Sequence, residues 1–313
     1  MISKMHDIFL RFIWVLCLAL SLLVVNCSGG GGGGDTNNSS SQTAAFIADH
    51  QVAADFDSIP QSAIEQAKSD LHIAYGHTSH GSQIITGMDA LAAENILYSW
   101  NEGGTGGAID LDDYAMGGDL GSYPDWVNNT RTYLGTPDSS TGRGTAKPNV
   151  NVIIWSWCGQ VSGYTEQQMI DNYLAPMTQL ETDYPEIKFV YMTGHLDGGG
   201  QNGNLNLRNQ QIRNYCTANN KILFDFADIE SYDPGGSTNY MPLLANDNCD
   251  YDNNGDEILE SNWAVNWVAA NPGHTLTTLA NNCGSCAHSQ RLNCVLKGRA
   301  AWWLWARLAG WNP

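Results

Sequence analysis

Short apolar runs, several rich in β-branched or aromatic residues, alternate along the chain with stretches whose apolar residues recur at helical spacing. Residues 71–75, 151–157, 187–192 and 222–226 read as strands, and 64–69, 82–91, 205–218 and 296–311 as helices. The run 151–157 is largely apolar and β-branched, as a central strand covered on both faces requires. Between 166 and 180, Met169, Ile170, Tyr173, Leu174, Met177 and Leu180 keep helical spacing, but Pro176 is expected to kink or interrupt that helix. Strand and helix signals in this order predict an α/β fold, a three-layer α/β/α sandwich on a mostly parallel central sheet. Trp302, Trp303 and Trp305 are expected to pack the last helix against the sheet rather than form a ligand platform.

The N-terminus changes the picture of where this fold works. Lys4 and Arg11 lead into an apolar segment, residues 12–25, too short to span a bilayer comfortably and suited to a signal-peptide core. Cys27 follows at once, so residues 1–26 resemble a bacterial lipoprotein signal, with Cys27 the lipidated residue. Residues 27–45, with six consecutive glycines and a polar run, bury too little apolar surface to fold and are expected to act as a flexible tether. Residues 46–313 are then a single domain. The implied location is exported and membrane-anchored, on the outer-membrane, periplasmic or cell-surface side, with membrane contact only through the lipid.

Net charge is −18, from 14 Lys and Arg against 32 Asp and Glu. Such a chain repels polyanions, so no nucleic-acid partner is expected. Beyond Cys17 and Cys27, six cysteines remain (Cys158, Cys216, Cys249, Cys283, Cys286 and Cys294). In an oxidising compartment they suggest disulfides, with at least one bridge among the last four stapling the C-terminal loops. A zinc site from Cys283, Cys286 and His288 is a weaker alternative, and the c-type haem spacing is missed by one residue.

Candidate chemistry collects where strands end, which is where open α/β sheets bind ligands. His77, Ser79 and His80 follow the first strand, Cys158, Gly159 and Gln160 the second, Thr193 to Asp197 the third, and Asp225 and Asp228 the fourth. A serine on a strand-to-helix turn is exposed, and the helix N-terminus behind it offers free N–H groups to an oxyanion. The block Gly76-His77-Thr78-Ser79-His80-Gly81, the late His288 ahead of a terminal helix, and the intervening Asn209, Arg213 and Asp225 to Glu230 resemble the SGNH (GDSL-like) hydrolase superfamily. The likeness spans residues 71–311 and rests on the order of its short motifs. It implies a flavodoxin-like fold, Ser79 as nucleophile, His288 as base, and oxyanion donors at Gly118 and Gln160. The family's aspartate three residues before the histidine is Ser285 here, so Asp225 or Asp228 is expected as the acid, or a dyad. His80 and His195 are further candidates; a structural role is expected for His77.

Asp250, Asp252, Asn254 and Asp256 place oxygens at alternate positions with Gly255 at the turn, so residues 250–261 read either as a structural calcium loop or as a solvated hairpin tip. Position 12 carries Ser261 instead of a glutamate. No cofactor is expected for catalysis. Two classes of function stand: an exported serine esterase acting on acyl or acetyl esters of glycans or small molecules, and a non-catalytic surface lipoprotein binding glycans through exposed aromatics such as Tyr98, Trp100, Tyr123 and Trp126.

Overall fold

Seven parallel strands form the central sheet: β1 (Ile47–Ala48), β2 (His72–Gly76), β3 (Trp100–Asn101), β4 (Ile109–Met116), β5 (Val152–Trp155), β6 (Lys188–Met192) and β7 (Ile222–Phe224), in the order β1-β7-β6-β5-β2-β4-β3. The computed structural model describes residues 46–313; the leader, Cys27 and the tether lie outside the described residues. From β2 the chain moves outward to β4, then returns past β2 to β5 and proceeds the other way through β6 and β7. Right-handed crossovers in opposite directions place their helices on opposite faces. One layer contains Gln61–Asp70, Ser82–Glu94 and Arg291–Leu308, which pack on one another. The other contains Asp125–Leu134, Ala175–Asp183 and Asn204–Ala218.

All four β5 residues are buried, as the unbroken apolar run requires. The helix expected over 166–180 divides into Glu166–Met169, a π-helical turn Ile170–Leu174 and Ala175–Asp183. The cause is Pro176, which lacks an N–H and crowds the carbonyl four residues back. β4 has no counterpart in the sequence reading: Asp110, Asp112 and Asp113 interrupt its apolar positions, and only Ile109, Leu111 and Met116 are buried along it. The strand expected over 222–226 stops at Phe224, because Asp225 caps a short helix, Phe226–Glu230, by accepting the Asp228 N–H.

Ser82–Glu94 and Arg291–Leu308 are in backbone contact where Gly87 meets Gly298; a Cβ on either would run into the other helix's main chain. Trp302 and Trp305 are fully buried, as expected of core filler. Beneath this crossing, Lys297 and Glu230 form an ion pair of 2.5 Å with no exposed surface. Lys297 also donates to the Gln83 side chain, while the other Glu230 oxygen accepts the Leu196 N–H at 2.7 Å. Burial pulls the Lys297 ammonium below its ordinary pKa and Glu230 opposes that pull. One disulfide, Cys286–Cys294, staples the C-terminal loop to its helix; Cys158, Cys216, Cys249 and Cys283 are free thiols among the described residues. With Cys286 oxidised, the zinc alternative loses a ligand. Among the described residues no helix is long and apolar enough to cross a membrane.

Candidate active site

The change of direction between β2 and β5 opens a crevice beyond their C-terminal ends, and both strands end in candidate chemistry. After β2, His77 turns inward: Nε2 meets Asp113 at 2.6 Å and Nδ1 donates to the Thr78 carbonyl, tying β2 to β4. This is the structural role expected of it. Ser79 is exposed at the apex, and its carbonyl accepts the Ser82 hydroxyl at 2.7 Å. Gly81 is required behind it, because a Cβ there would overlap His77, Ser156 and Tyr75. No acceptor among the described residues meets the backbone N–H groups of Ser79, His80 and Gly81, which front the N-terminus of Ser82–Glu94 as an oxyanion site requires.

His288 reaches the serine from the other end of the chain. Its Nε2 lies 3.0 Å from Ser79 Oγ across 209 positions of sequence. Two devices hold it there. Gln83 donates to the Ala287 carbonyl at 2.6 Å, and the His288 backbone sits at φ +60°, a conformation that costs a non-glycine residue about 1 kcal/mol or more.

The two carboxylates expected as the acid have other partners. Asp225 is engaged by Arg213 at 2.6 and 2.8 Å and by Thr193, and Asp228 by the ring and N–H of His50. Both expected acids therefore support the Phe226–Glu230 helix and neither orients His288. Gln160 is likewise spent: its oxygen accepts the Cys158 N–H and its nitrogen donates to Asp119, so it braces its loop instead of facing an oxyanion. Gly118, at φ +94°, lies beside Asp119, whose carboxylate accepts the Thr78 hydroxyl at 2.8 Å and docks the glycine loop onto the serine turn.

His80, His195 and Cys158 do join the site. The His80 ring lies between those of His288 and His195, stacked at 4.3 and 3.9 Å between centroids. Its Nδ1 is 3.3 Å from Cys158 Sγ and its Nε2 3.0 Å from Asp247. Cys158 Sγ is 3.8 Å from Ser79 Oγ. Neither Cys158 nor Asp247 was singled out as catalytic in the sequence; Asp247 lies in the polar run Asn246 to Asp250, which carries no periodicity. Donor atoms of His80, His195 and Asp247 fall within 4.8 Å of one another, near enough for a metal. Yet the His195 nitrogen that faces Asp247, Nδ1 at 4.0 Å, donates to the Leu196 carbonyl at 2.7 Å and so has no lone pair to offer there, and His80 Nε2 already faces Asp247 directly. The contacts are those of a hydrogen-bond network.

A cleft of about 440 Å³ is lined by Val265, Val268, Ser285, Ser289 and Leu292 among others; it borders the loop carrying His288 without including His288 or Ser79. At the acidic hairpin, Asp252, Asp256 and Glu260 converge, whereas Asp250 pairs with Asn248 and Asn262 in the hairpin stem. Asp250 therefore does not join the oxygens at the hairpin tip, as the calcium-loop expectation had it. Of the proposed glycan-binding aromatics, Trp126 is fully buried against Trp155 and Tyr173, which removes it from any surface platform; Tyr123 is exposed. Fold and site together define an α/β protein with a serine–histidine pair at the switch point of its sheet. Comparison with family models, curated proteins and solved structures returns no match to this chain.

Proposed function

We propose that the protein is an exported serine esterase of the SGNH type, hydrolysing acyl or acetyl esters of glycans or small molecules. The observation that carries the reading is the 3.0 Å contact between Ser79 Oγ and His288 Nε2. Ser79 attacks the ester carbonyl while His288 accepts its proton, then returns it to the departing alcohol. The N–H groups of Ser79, His80 and Gly81, with the docked Gly118 loop, receive the negative charge on the carbonyl oxygen. Water repeats the cycle and frees the acid. With Asp225 and Asp228 engaged elsewhere, His288 works in a dyad, held by its strained backbone and by its stack on His80. Lipidation at Cys27 would tether this activity to a membrane surface, and a calcium ion at Asp252, Asp256 and Glu260 would brace the hairpin.

The test is direct. The full-length chain should turn over a short-chain chromogenic ester and take a fluorophosphonate label on Ser79. Ser79→Ala should lose the label and at least about 10³-fold in turnover. A label on another serine, or none, overturns the reading in favour of a binding lipoprotein on the same scaffold.

A further inference from the structure

We infer that Cys158 is a second nucleophile at this site, with His80 as its base and Asp247 as the residue that positions that base. The inference goes beyond the serine reading and does not depend on it. Its warrant is the direction of the protons. A carboxylate only accepts, so the ring nitrogen facing Asp247 at 3.0 Å, His80 Nε2, carries the hydrogen. The His80 lone pair is therefore on Nδ1, and Nδ1 faces Cys158 Sγ at 3.3 Å. Nucleophile, base and orienting acid thus stand in series, the relation that activates a thiol. The three residues come from three separate segments, so nothing local obliges them to meet.

The surroundings agree. His80 is almost wholly buried, which holds its pKa below the ordinary 6.5 despite Asp247 and keeps Nδ1 free to accept a proton. The remaining free thiols among the described residues, Cys216, Cys249 and Cys283, are buried with pKa values pushed up, whereas Cys158 is partly accessible beside Ser79. His195 Nε2, buried without a protein partner, lies 3.9 Å from where a Cβ on Gly159 would stand, beside Cys158 in sequence, and offers an acceptor to a bound donor.

The step balances as follows. The Cys158 proton passes to His80 Nδ1, sulfur bonds to the carbonyl carbon of an ester, and the bond from that carbon to the alcohol oxygen breaks. His80 returns the proton to the alcohol. Water then attacks the thioester, losing its proton to His80, and the thiol leaves with that proton. Because the two nucleophilic atoms are 3.8 Å apart, one bound acyl group lies within reach of both.

Iodoacetamide alkylation of the full-length chain at pH 6, followed at Cys158 by peptide mass, tests the pairing. Cys158 should react about tenfold or more faster than glutathione. His80→Gln and Asp247→Asn should remove the excess rate, and Asp247→Glu should restore part of it, while thermal melting shows each variant folded. In Ser79→Ala, p-nitrophenyl acetate should leave an acetyl group on Cys158 that neutral hydroxylamine releases. A rate equal to that of glutathione and indifferent to His80, or no acetyl-Cys158 in Ser79→Ala, overturns the inference. Failure of the serine reading would appear separately, as loss of fluorophosphonate labelling at Ser79 in the unaltered chain.

Discussion

Two histidine–carboxylate pairs in this protein look alike and behave oppositely. His80 meets Asp247 at 3.0 Å and His50 meets Asp228 at 2.5 Å. Burial, together with the imidazoles of His195 and His288, depresses the pKa of His80 against the pull of Asp247. Burial acts the same way on His50, but Asp228, with Asp49 and Asp225 behind it, raises that pKa above 6.5. His80 stands among other imidazoles and faces a thiol; His50 stands among carboxylates and stacks on Tyr232. A carboxylate partner therefore does not by itself make a histidine an imidazolium. The remaining neighbours decide, and here they leave one histidine a base and make the other an ion-pair member.

The largest expected effect comes from removing what joins the two regions. Glu230 closes the short helix that contains Asp228, and its other contacts reach Leu196, beside His195, and Lys297. Lys297→Ala leaves Glu230 buried without its cation and should cost about 3–5 kcal/mol, read from urea unfolding. A loss below about 1 kcal/mol would mean that the pair is not buried in solution.

Next in size is the contrast in activity. His80→Ala removes the ring on which His288 stacks and should lower ester turnover about tenfold, the worth of one good aromatic contact. His50→Ala should leave turnover unchanged. Equal losses in both variants would erase the distinction between base and ion pair.

The smallest effects are in pH and have opposite signs. His80 is depressed, so its contribution is present above pH 6.5 and is lost as pH falls through its lower folded value. His50 is raised, so its contribution is full below pH 6.5 and is lost as pH rises through its higher folded value. The stability lost in His50→Ala, about 1 kcal/mol or less for a pair that keeps some solvent contact, should therefore shrink from pH 5.5 to pH 8.5. A His50→Ala penalty that grows with pH would reverse the assignment.

Much of this architecture was legible in the chain. Four of the seven strands, the disturbance at Pro176 and the exposed serine turn follow from local pattern, and the contact between Ser79 and His288 came from the order of short motifs. The misses share a cause. Asp225 and Asp228 sit at a strand end, as a catalytic acid would, but Arg213 and His50 claim them from other elements. Trp126 reads as surface aromatic until Trp155 and Tyr173 enclose it. β4 hides because aspartates take positions in a strand where apolar residues are expected.

Periodicity and turn chemistry act over a few residues, so the sequence by itself determined the alternating elements, the parallel sheet and the residues exposed at its strand ends. Which of those residues become partners was decided only by tertiary structure. The Gly87–Gly298 crossing brings the terminal helix against the one behind Ser79, and the reversal of strand order sets Cys158 beside it. Both are contacts between segments far apart in the chain, and no local pattern encodes such a meeting.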